Sequence, residues 1–191
     1  MKKTLLLLSG GMDSVALFYW LKSDNAEMEC LYFDYGQNHC QRERDFAEKH
    51  CLDAGVRFHV KTLPNLEGSL LTADSVGTWV VPSRNSIFLS HAANFAESHG
   101  FAYIAYACNS DDSDGFPDCR PEWVGAFNQQ LAFAEMKCRV VTPFIQHTKL
   151  GIVWESRRIQ APIERSWSCY RHGIEPCGEC PACEKRTEAF K

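Results

Sequence analysis

The chain has 191 residues, of which 45% are hydrophobic and 23% are charged, a composition that excludes a disordered protein and one dominated by membrane spans. Its formal net charge of -4 argues against a surface that neutralises phosphate backbones, so we expect no direct nucleic-acid partner. Leu5 to Leu8 is the longest apolar run near the start, too short for a signal peptide or a membrane span. We therefore expect a cytoplasmic protein, not bound to a membrane, whose cysteines stay reduced.

Short apolar runs rich in β-branched or aromatic residues alternate with segments of helical spacing. The runs predict strands at Thr4–Leu8, Glu29–Asp34, Val56–Lys61, Ala102–Tyr106 and Arg139–Thr142. The segments predict helices at Asp13–Leu21, His39–Ala54, Asn85–His99, Pro121–Met136 and, as an amphipathic stretch, Leu150–Ile159. This alternation predicts an α/β fold with a parallel five-stranded sheet flanked by helices, and a ligand beyond the carboxyl ends of the strands.

The first strand runs directly into a glycine-rich loop with the sequence Ser9-Gly10-Gly11-Met12-Asp13-Ser14. Two adjacent glycines allow a tight turn and close backbone approach, and the helix that follows offers N–H groups and a positive dipole end to an anion. A simple strand-to-helix turn is the alternative. Because the loop lacks the Gly-Lys-Ser/Thr of a Walker motif, a kinase or GTPase is disfavoured.

The same loop resembles the pyrophosphate-binding loop of the PP-loop ATP pyrophosphatases, which split ATP to adenylate a substrate. Further along the chain, four segments in the same order resemble the 7-cyano-7-deazaguanine synthase family of that superfamily: 33–39, 81–90, 115–122 and 166–170. Two positions depart from the family pattern, Phe116 in place of Tyr and Ser83 in place of Gly or Ala. The resemblance implies the Rossmann-like fold of the adenine nucleotide alpha hydrolases.

A cluster of four cysteines lies near the C-terminus, at Cys169, Cys177, Cys180 and Cys183. Four thiolates at this spacing can close a tetrahedral, structural zinc site, whereas a redox pair or an iron–sulfur cluster is the alternative. From about Ser166 the composition shifts to Cys, Gly and Pro, so the segment cannot form its own core. We therefore divide the chain into an ATP-binding α/β domain, residues 1–165, and a zinc-binding segment, residues 166–191, packed on it.

The resemblance assigns roles to single residues. It implies ATP binding by Ser9, Gly10, Gly11, Met12, Asp13 and Ser14, with Mg²⁺ accompanying the nucleotide. We place Asp13, Ser14 and Lys149 in catalysis, because a lysine suits a polyphosphate or a developing negative charge. Long basic side chains are also ordinary surface residues, so a solvated Lys149 is the alternative. The acidic run Asp111 to Asp114 is either solvated or supplies one magnesium ligand.

Five residues are assigned to the substrate: Arg84, Asp118, Arg120, Glu122 and, by its match to the family, His39. A deazaguanine ring presents N–H donors that a carboxylate can accept, and an arginine fork suits carboxylate or phosphate. An ordinary salt-bridged loop is the alternative for residues 118–122. Cys119 and His91 are interpreted as a buried thiol and a packing residue.

The reaction that the resemblance implies begins when ATP adenylates the carboxylate of 7-carboxy-7-deazaguanine. Ammonia then displaces AMP to give an amide, and a second ATP drives dehydration to the nitrile. Two alternatives stay open, namely a ligase that joins the activated deazaguanine to another amine, such as a protein amine, and a nucleotide sensor without catalysis. A tRNA-thiolating enzyme is disfavoured by the acidic chain, and homodimerisation is left open.

Overall fold

In this computed structural model, residues 3–72, 77–171 and 173–191 are described. Their strands form one parallel sheet with the order β3-β2-β1-β4-β5. The strands are β1 (Thr4–Leu7), β2 (Met28–Asp34), β3 (Phe58–Thr62), β4 (Tyr103–Ala105) and β5 (Arg139–Val141). The predicted fold class is confirmed, and the predicted strands differ from the observed ones by one or two residues at their ends.

Helices cover both faces of this sheet. Those in the described residues are α1 (Met12–Ser23), α2 (Cys40–Ala54), α3 (Arg84–His99), α4 (Pro121–Phe133), α5 (Lys149–Arg158) and α6 (Pro181–Ala189). The first five match predicted segments, whereas α6 lies among the cysteines and was not predicted. None of the described helices combines the length and the apolar composition that a bilayer crossing needs.

The side chains of the central strands alternate between the two faces of the sheet and so contribute to two hydrophobic cores, one on each face. Leu5 and Leu31 are buried in the core on one face of the sheet, and Leu6 and Cys30 are buried in the core on the other face. Successive side chains of a strand point to opposite faces. A strand that is buried on both faces therefore has a continuous apolar sequence, which is the pattern seen in Leu5 to Leu8.

The strand order places a crevice at the middle of the sheet. The chain passes from β1 outward to β2 and β3, then crosses back to β4 on the other side of β1. Ligands in such sheets bind outside the carboxyl ends of the strands, where the order reverses. The glycine-rich loop after β1 and residues 106–120 after β4 both emerge at this point. The connection between β3 and α3 contains a short 3₁₀ helix, Leu70–Thr72, while residues 73–76 lie outside the described part.

Candidate active site

The glycine-rich loop turns from the end of β1 into the first turn of α1. The Ser14 hydroxyl donates to the Gly11 carbonyl over 2.9 Å, and the Gly11 N–H donates to the Ser9 hydroxyl over 3.2 Å. Gly11 occupies the N-cap position and has no side chain with which to cap the helix. The positive end of α1 consequently faces the cavity through Met12, Asp13 and Ser14, an arrangement that suits an anion.

The two loop glycines are needed for different reasons. Gly10 has φ +81°, and a Cβ there would overlap the main-chain oxygen of Glu43 on α2. Its carbonyl also accepts the Trp167 N–H over 2.8 Å. Gly11 has an ordinary extended conformation, φ -70°, and a Cβ there would come within 3.2 Å of the Ser9 hydroxyl. Packing between elements therefore requires Gly10, while Gly11 lies on the surface of the cavity.

Two lysines and two aspartates form a charged network beside the loop. Lys149 donates to Asp13 over 2.7 Å and lies 3.6 Å from Asp112, whose other oxygen lies 2.8 Å from Lys185. Fully buried Asn109 donates to Asp13 over 3.0 Å and to Asp112 over 2.8 Å. Burial acts to raise the pKa of Asp112, but Lys149, Lys185 and Asn109 together lower it. Burial acts to lower the pKa of Lys149, and both carboxylates raise it. Asp112 and Lys149 therefore keep their charges at neutral pH.

One atom of this network has no partner among the described residues. Asp13 Oδ1 is buried and accepts no hydrogen bond there, although a buried polar atom ordinarily has a partner. Carboxylate oxygens are the ligands that Mg²⁺ prefers, so Asp13, with Asp112 nearby, has the chemistry to hold a magnesium ion. Within the acidic run, Asp112 joins the network and Asp111 accepts the Lys149 main-chain N–H over 2.8 Å, so neither carboxylate is merely solvated.

A cavity of about 580 Å³ extends from the loop over the carboxyl ends of the strands. Its far end is aromatic: Phe33 stacks on Phe88 with ring centroids 4.7 Å apart, and Trp79 packs on Tyr170 at 5.3 Å. Arg84 lines this end. Flat apolar walls with few polar groups are typical of sites for planar ligands. The cavity thus joins an anion-binding end to a chamber suited to a ring.

The structure brings most of the predicted site residues to this cavity. Its lining includes Ser9, Gly11, Met12, Asp13, Ser14, His39, Arg84 and Lys149. Arg84 donates to the Tyr35 hydroxyl over 3.4 Å. Phe116, one of the departures from the family pattern, also lines the cavity.

Asp118, Arg120 and Glu122 are not among the residues that line the cavity. Arg120 and Glu122 are exposed, and the Arg120 side chain donates to the Ser113 carbonyl over 2.9 Å. Asp118 accepts the Tyr106 hydroxyl through its main-chain oxygen, 3.0 Å away. From the same short 3₁₀ helix, buried Cys119 is the residue that lines the cavity. Substrate binding by these three residues stays a prediction.

Other residues that shape the site were missed. Asn109, Lys185, Glu43 and Trp79 line the cavity or join its hydrogen bonds, and none has a sequence signal as specific as the glycine pair. Asn109 lies four residues beyond the end of β4, so its position in the loop after a strand was the available signal. Lys185 lies two residues after Cys183, in a segment that was interpreted mainly through zinc ligation.

The four predicted metal-ligating cysteines converge. The sulfur atoms of Cys169, Cys177, Cys180 and Cys183 all lie within 4.8 Å of one another. Cys169 Sγ accepts the main-chain N–H of Cys177 over 3.4 Å. Hydrogen bonds from the Glu179 and Cys180 N–H groups lower the pKa of Cys177 to about 6. Four thiols around one point, three of them linked by two successive Cys-x-x-Cys spacings, can hold a metal ion with no open position for water.

The cysteine segment contributes directly to the active site. Trp167 binds the Gly10 carbonyl through its main-chain N–H, and Tyr170 lies between His39 and Trp79, with centroids 5.8 and 5.3 Å away. On α6, Lys185 pairs with Asp112. Residues 167–170 and helix α6 therefore form one wall of the cavity, and a metal held by the four cysteines would fix that wall.

A parallel sheet in this order, with a glycine-rich loop after β1 and an acidic–basic network facing it, defines an α/β protein of the PP-loop nucleotide-binding type. The U34-tRNA thiolase NcsA from Methanococcus maripaludis, solved with its 4Fe-4S cluster, is similar over 98% of this chain and 64% of its own, with a TM-score of 0.64 and 14% identity. A 4-thiouridine synthetase solved with RNA and ATP matches 93% of this chain and 45% of its own, with a TM-score of 0.50 and 16% identity. At such identities the likeness shows the fold alone.

Sequence comparison narrows the class to one family. The model of the family described as "Queuosine biosynthesis protein QueC" matches residues 3–191. Proteins named 7-cyano-7-deazaguanine synthase are 38% identical in Persephonella marina, over 98% of this chain and 91% of the relative, and 34% identical in Pseudoalteromonas atlantica, over 99% and 94%. The chain belongs to the QueC family, which confirms the prediction of an enzyme of the 7-cyano-7-deazaguanine synthase type.

Proposed function

We propose that this protein is an ATP-dependent carbon–nitrogen ligase that converts 7-carboxy-7-deazaguanine and ammonia to 7-cyano-7-deazaguanine, by way of an adenylate and an amide. One observation carries the proposal: a single cavity joins the anion-binding start of α1 to an aromatic chamber. Adenylation requires the α-phosphate of ATP and the substrate carboxylate to meet, and this geometry can align a triphosphate at one end with a ring at the other.

The residues of the charged network have defined tasks in this reaction. Lys149 can neutralise charge that develops on the phosphates as pyrophosphate leaves. Asp13, whose Oδ1 has no partner among the described residues, would hold Mg²⁺, which neutralises phosphate charge when bound. Lys185 and Asn109 hold Asp112 in place. Arg84, at the aromatic end, can bind the substrate carboxylate before it is activated.

We propose that the four-cysteine site holds zinc. A closed set of four thiolates suits a structural Zn²⁺ ion, because no position stays open for a substrate or a water. The iron–sulfur cluster of the thiolase belongs to a protein only 14% identical, so that likeness does not decide the metal. Zinc at this position would stabilise the wall formed by Trp167, Tyr170 and α6.

The test is product analysis by mass with 7-carboxy-7-deazaguanine, ATP, Mg²⁺ and ammonium. The expected product is the nitrile, and two pyrophosphates should be released for each nitrile formed. Lys149→Met should slow pyrophosphate release by about 100-fold, whereas Lys22→Met, an exposed lysine on α1, should leave it unchanged. Pyrophosphate release without formation of the nitrile would favour another amine as the acceptor, and ATP binding without pyrophosphate release would indicate a nucleotide sensor.

A further inference from the structure

Three carboxylates line the cavity among the described residues, and two of them are bound to lysines. Asp13 and Asp112 pair with the ammonium groups of Lys149 and Lys185. The third is Glu43 on α2, which receives no lysine in the described part of the chain. Lysine ammonium groups keep their protons near neutral pH, so a proton accepted by Asp13 or Asp112 would break an ion pair. The cationic neighbour of Glu43 is instead a histidine, His39, which can release its own proton when Glu43 accepts one.

Glu43 is held at both oxygens, by an ion pair with His39 and a hydrogen bond from Gln37. His39 Nε2 lies 3.4 Å from Glu43 Oε1, and Gln37 Nε2 donates to Glu43 Oε2 over 3.2 Å. The amide of Gln37 has one orientation here, since its oxygen accepts the Tyr35 N–H over 2.9 Å and its nitrogen donates to the Tyr32 hydroxyl over 2.8 Å. The carboxylate of Glu43 is thus aimed by its neighbours and only 15% exposed.

His39 completes a buried, charged pair with Glu43. Its ring is almost fully buried, and Nδ1 lies 3.2 Å from the Tyr170 carbonyl, which can only accept. Burial acts to lower the pKa of His39, and Arg84 does so weakly, but Glu43 and the Tyr170 carbonyl raise it above its ordinary value. Both ring nitrogens face acceptors, so the imidazolium form is satisfied on both sides.

Glu43 also occupies the junction of the two ends of the cavity. Its main-chain oxygen packs against Gly10 of the phosphate loop, and its carboxylate acts electrostatically on Arg84 and Tyr170 at the aromatic end. In the proposed function the acyl carbon lies at this junction, because the phosphates bind at one end and the ring at the other. A proton acceptor for the incoming amine is needed at the same place.

Resting on the proposed function, we propose that Glu43 is the catalytic base for the amine, and that His39 and Gln37 position it. The ammonia lone pair forms the new C–N bond, and the nitrogen becomes positively charged. One N–H proton then passes to a carboxylate oxygen of Glu43, while the bond between the acyl carbon and the AMP oxygen breaks, with its electron pair leaving on AMP. Glu43 and His39 afterwards return the proton to solvent through the open cavity.

The experiment separates adenylation from amine capture. Exchange of labelled pyrophosphate into ATP, with 7-carboxy-7-deazaguanine present and ammonia absent, reports adenylation alone. Glu43→Gln should keep this exchange within about threefold of the unaltered protein and slow amide formation by about 100-fold or more. Hydroxylamine, a stronger nucleophile that is uncharged near neutral pH, should still trap the adenylate. Glu48→Gln, an exposed residue on the same helix, is the matched control.

Other results would overturn the proposal. Equal losses of exchange, hydroxylamine capture and amide formation would assign Glu43 a structural role, and undiminished amide formation would remove it from the reaction. If Glu43→Gln fails to fold, Glu43→Asp carries the same test, because the shortened side chain withdraws the base but keeps the charge. If the unaltered protein shows no pyrophosphate exchange, both the proposed function and this inference are refuted. If the unaltered protein shows exchange and Glu43→Gln forms the amide at the normal rate, the inference alone is refuted.

Discussion

Gly10→Ala should unfold the protein at a lower temperature, and the structure allows the effect to be calculated. With φ at +81°, an alanine incurs about 1–2 kcal/mol of backbone strain. The added Cβ also overlaps the Glu43 carbonyl, which belongs to the backbone of α2 and cannot rotate away; overpacking of this kind costs about 1–3 kcal/mol. The sum, about 2–5 kcal/mol, is a large share of the ~5–15 kcal/mol of a typical domain.

Gly11→Ala is the matched comparison. Its φ of -70° is acceptable for alanine. Its Cβ would lie 3.2 Å from the rotatable Ser9 hydroxyl and at an ordinary contact distance of 3.7 Å from the Trp167 main-chain oxygen, so the loss of stability should stay below about 1 kcal/mol. Thermal unfolding should show a drop of about 4–20 °C for Gly10→Ala and little change for Gly11→Ala, which should instead raise the KM for ATP. Equal stability of the two variants would refute the assignment of Gly10 to packing against α2.

Three further predictions concern the metal, the substrate and pH. Metal analysis should find about one zinc per chain, and Cys180→Ser should lower both zinc content and stability; a folded protein without metal contradicts this. Asp118→Asn or Glu122→Gln should weaken 7-carboxy-7-deazaguanine binding in calorimetry while sparing ATP; losses below about threefold, roughly 0.7 kcal/mol, for both would place recognition elsewhere. Because the pKa of His39 is raised when folded, its stabilisation should be complete below about pH 6.5 and be lost as pH rises through the folded pKa. Denaturation between pH 6 and 9 should show this slope, and His39→Gln should flatten it.

Local patterns were sufficient for most of the secondary structure. Leu5 to Leu8 predicted a strand because a buried parallel strand is apolar on both faces, and Pro121 correctly predicted the start of α4. The loop Ser9 to Ser14 and the four cysteines were also visible, because each set is close in sequence and has a chemistry that few other arrangements share. Helix α6 was missed because its first residues, Pro181 and Ala182, lie between two of the predicted metal ligands, Cys180 and Cys183.

The partners across the cavity were not predictable in the same way. Lys185 and Asp112 are 73 residues apart, and Lys149 and Asp13 are 136 apart. Nothing in a lysine or an aspartate specifies which opposite charge it will meet, since surface ion pairs and site networks use the same residues. In the sequence, Glu43 is one of several acidic residues of a predicted helix, and only the structure shows its ion pair with His39 and the hydrogen bond it accepts from Gln37.

The segment from Pro117 to Glu122 shows the same difference between what the local sequence predicts and what only the tertiary structure decides. Its sequence identified a stiff turn and a family motif, but only the tertiary structure decided that Cys119 faces the cavity while Arg120 and Glu122 are exposed. Strand type, loop chemistry and metal-ligand spacing depend on interactions between residues a few positions apart, so the sequence alone specifies them. Strand order and the facing of side chains depend on contacts between distant residues, which form when the whole chain packs around the sheet.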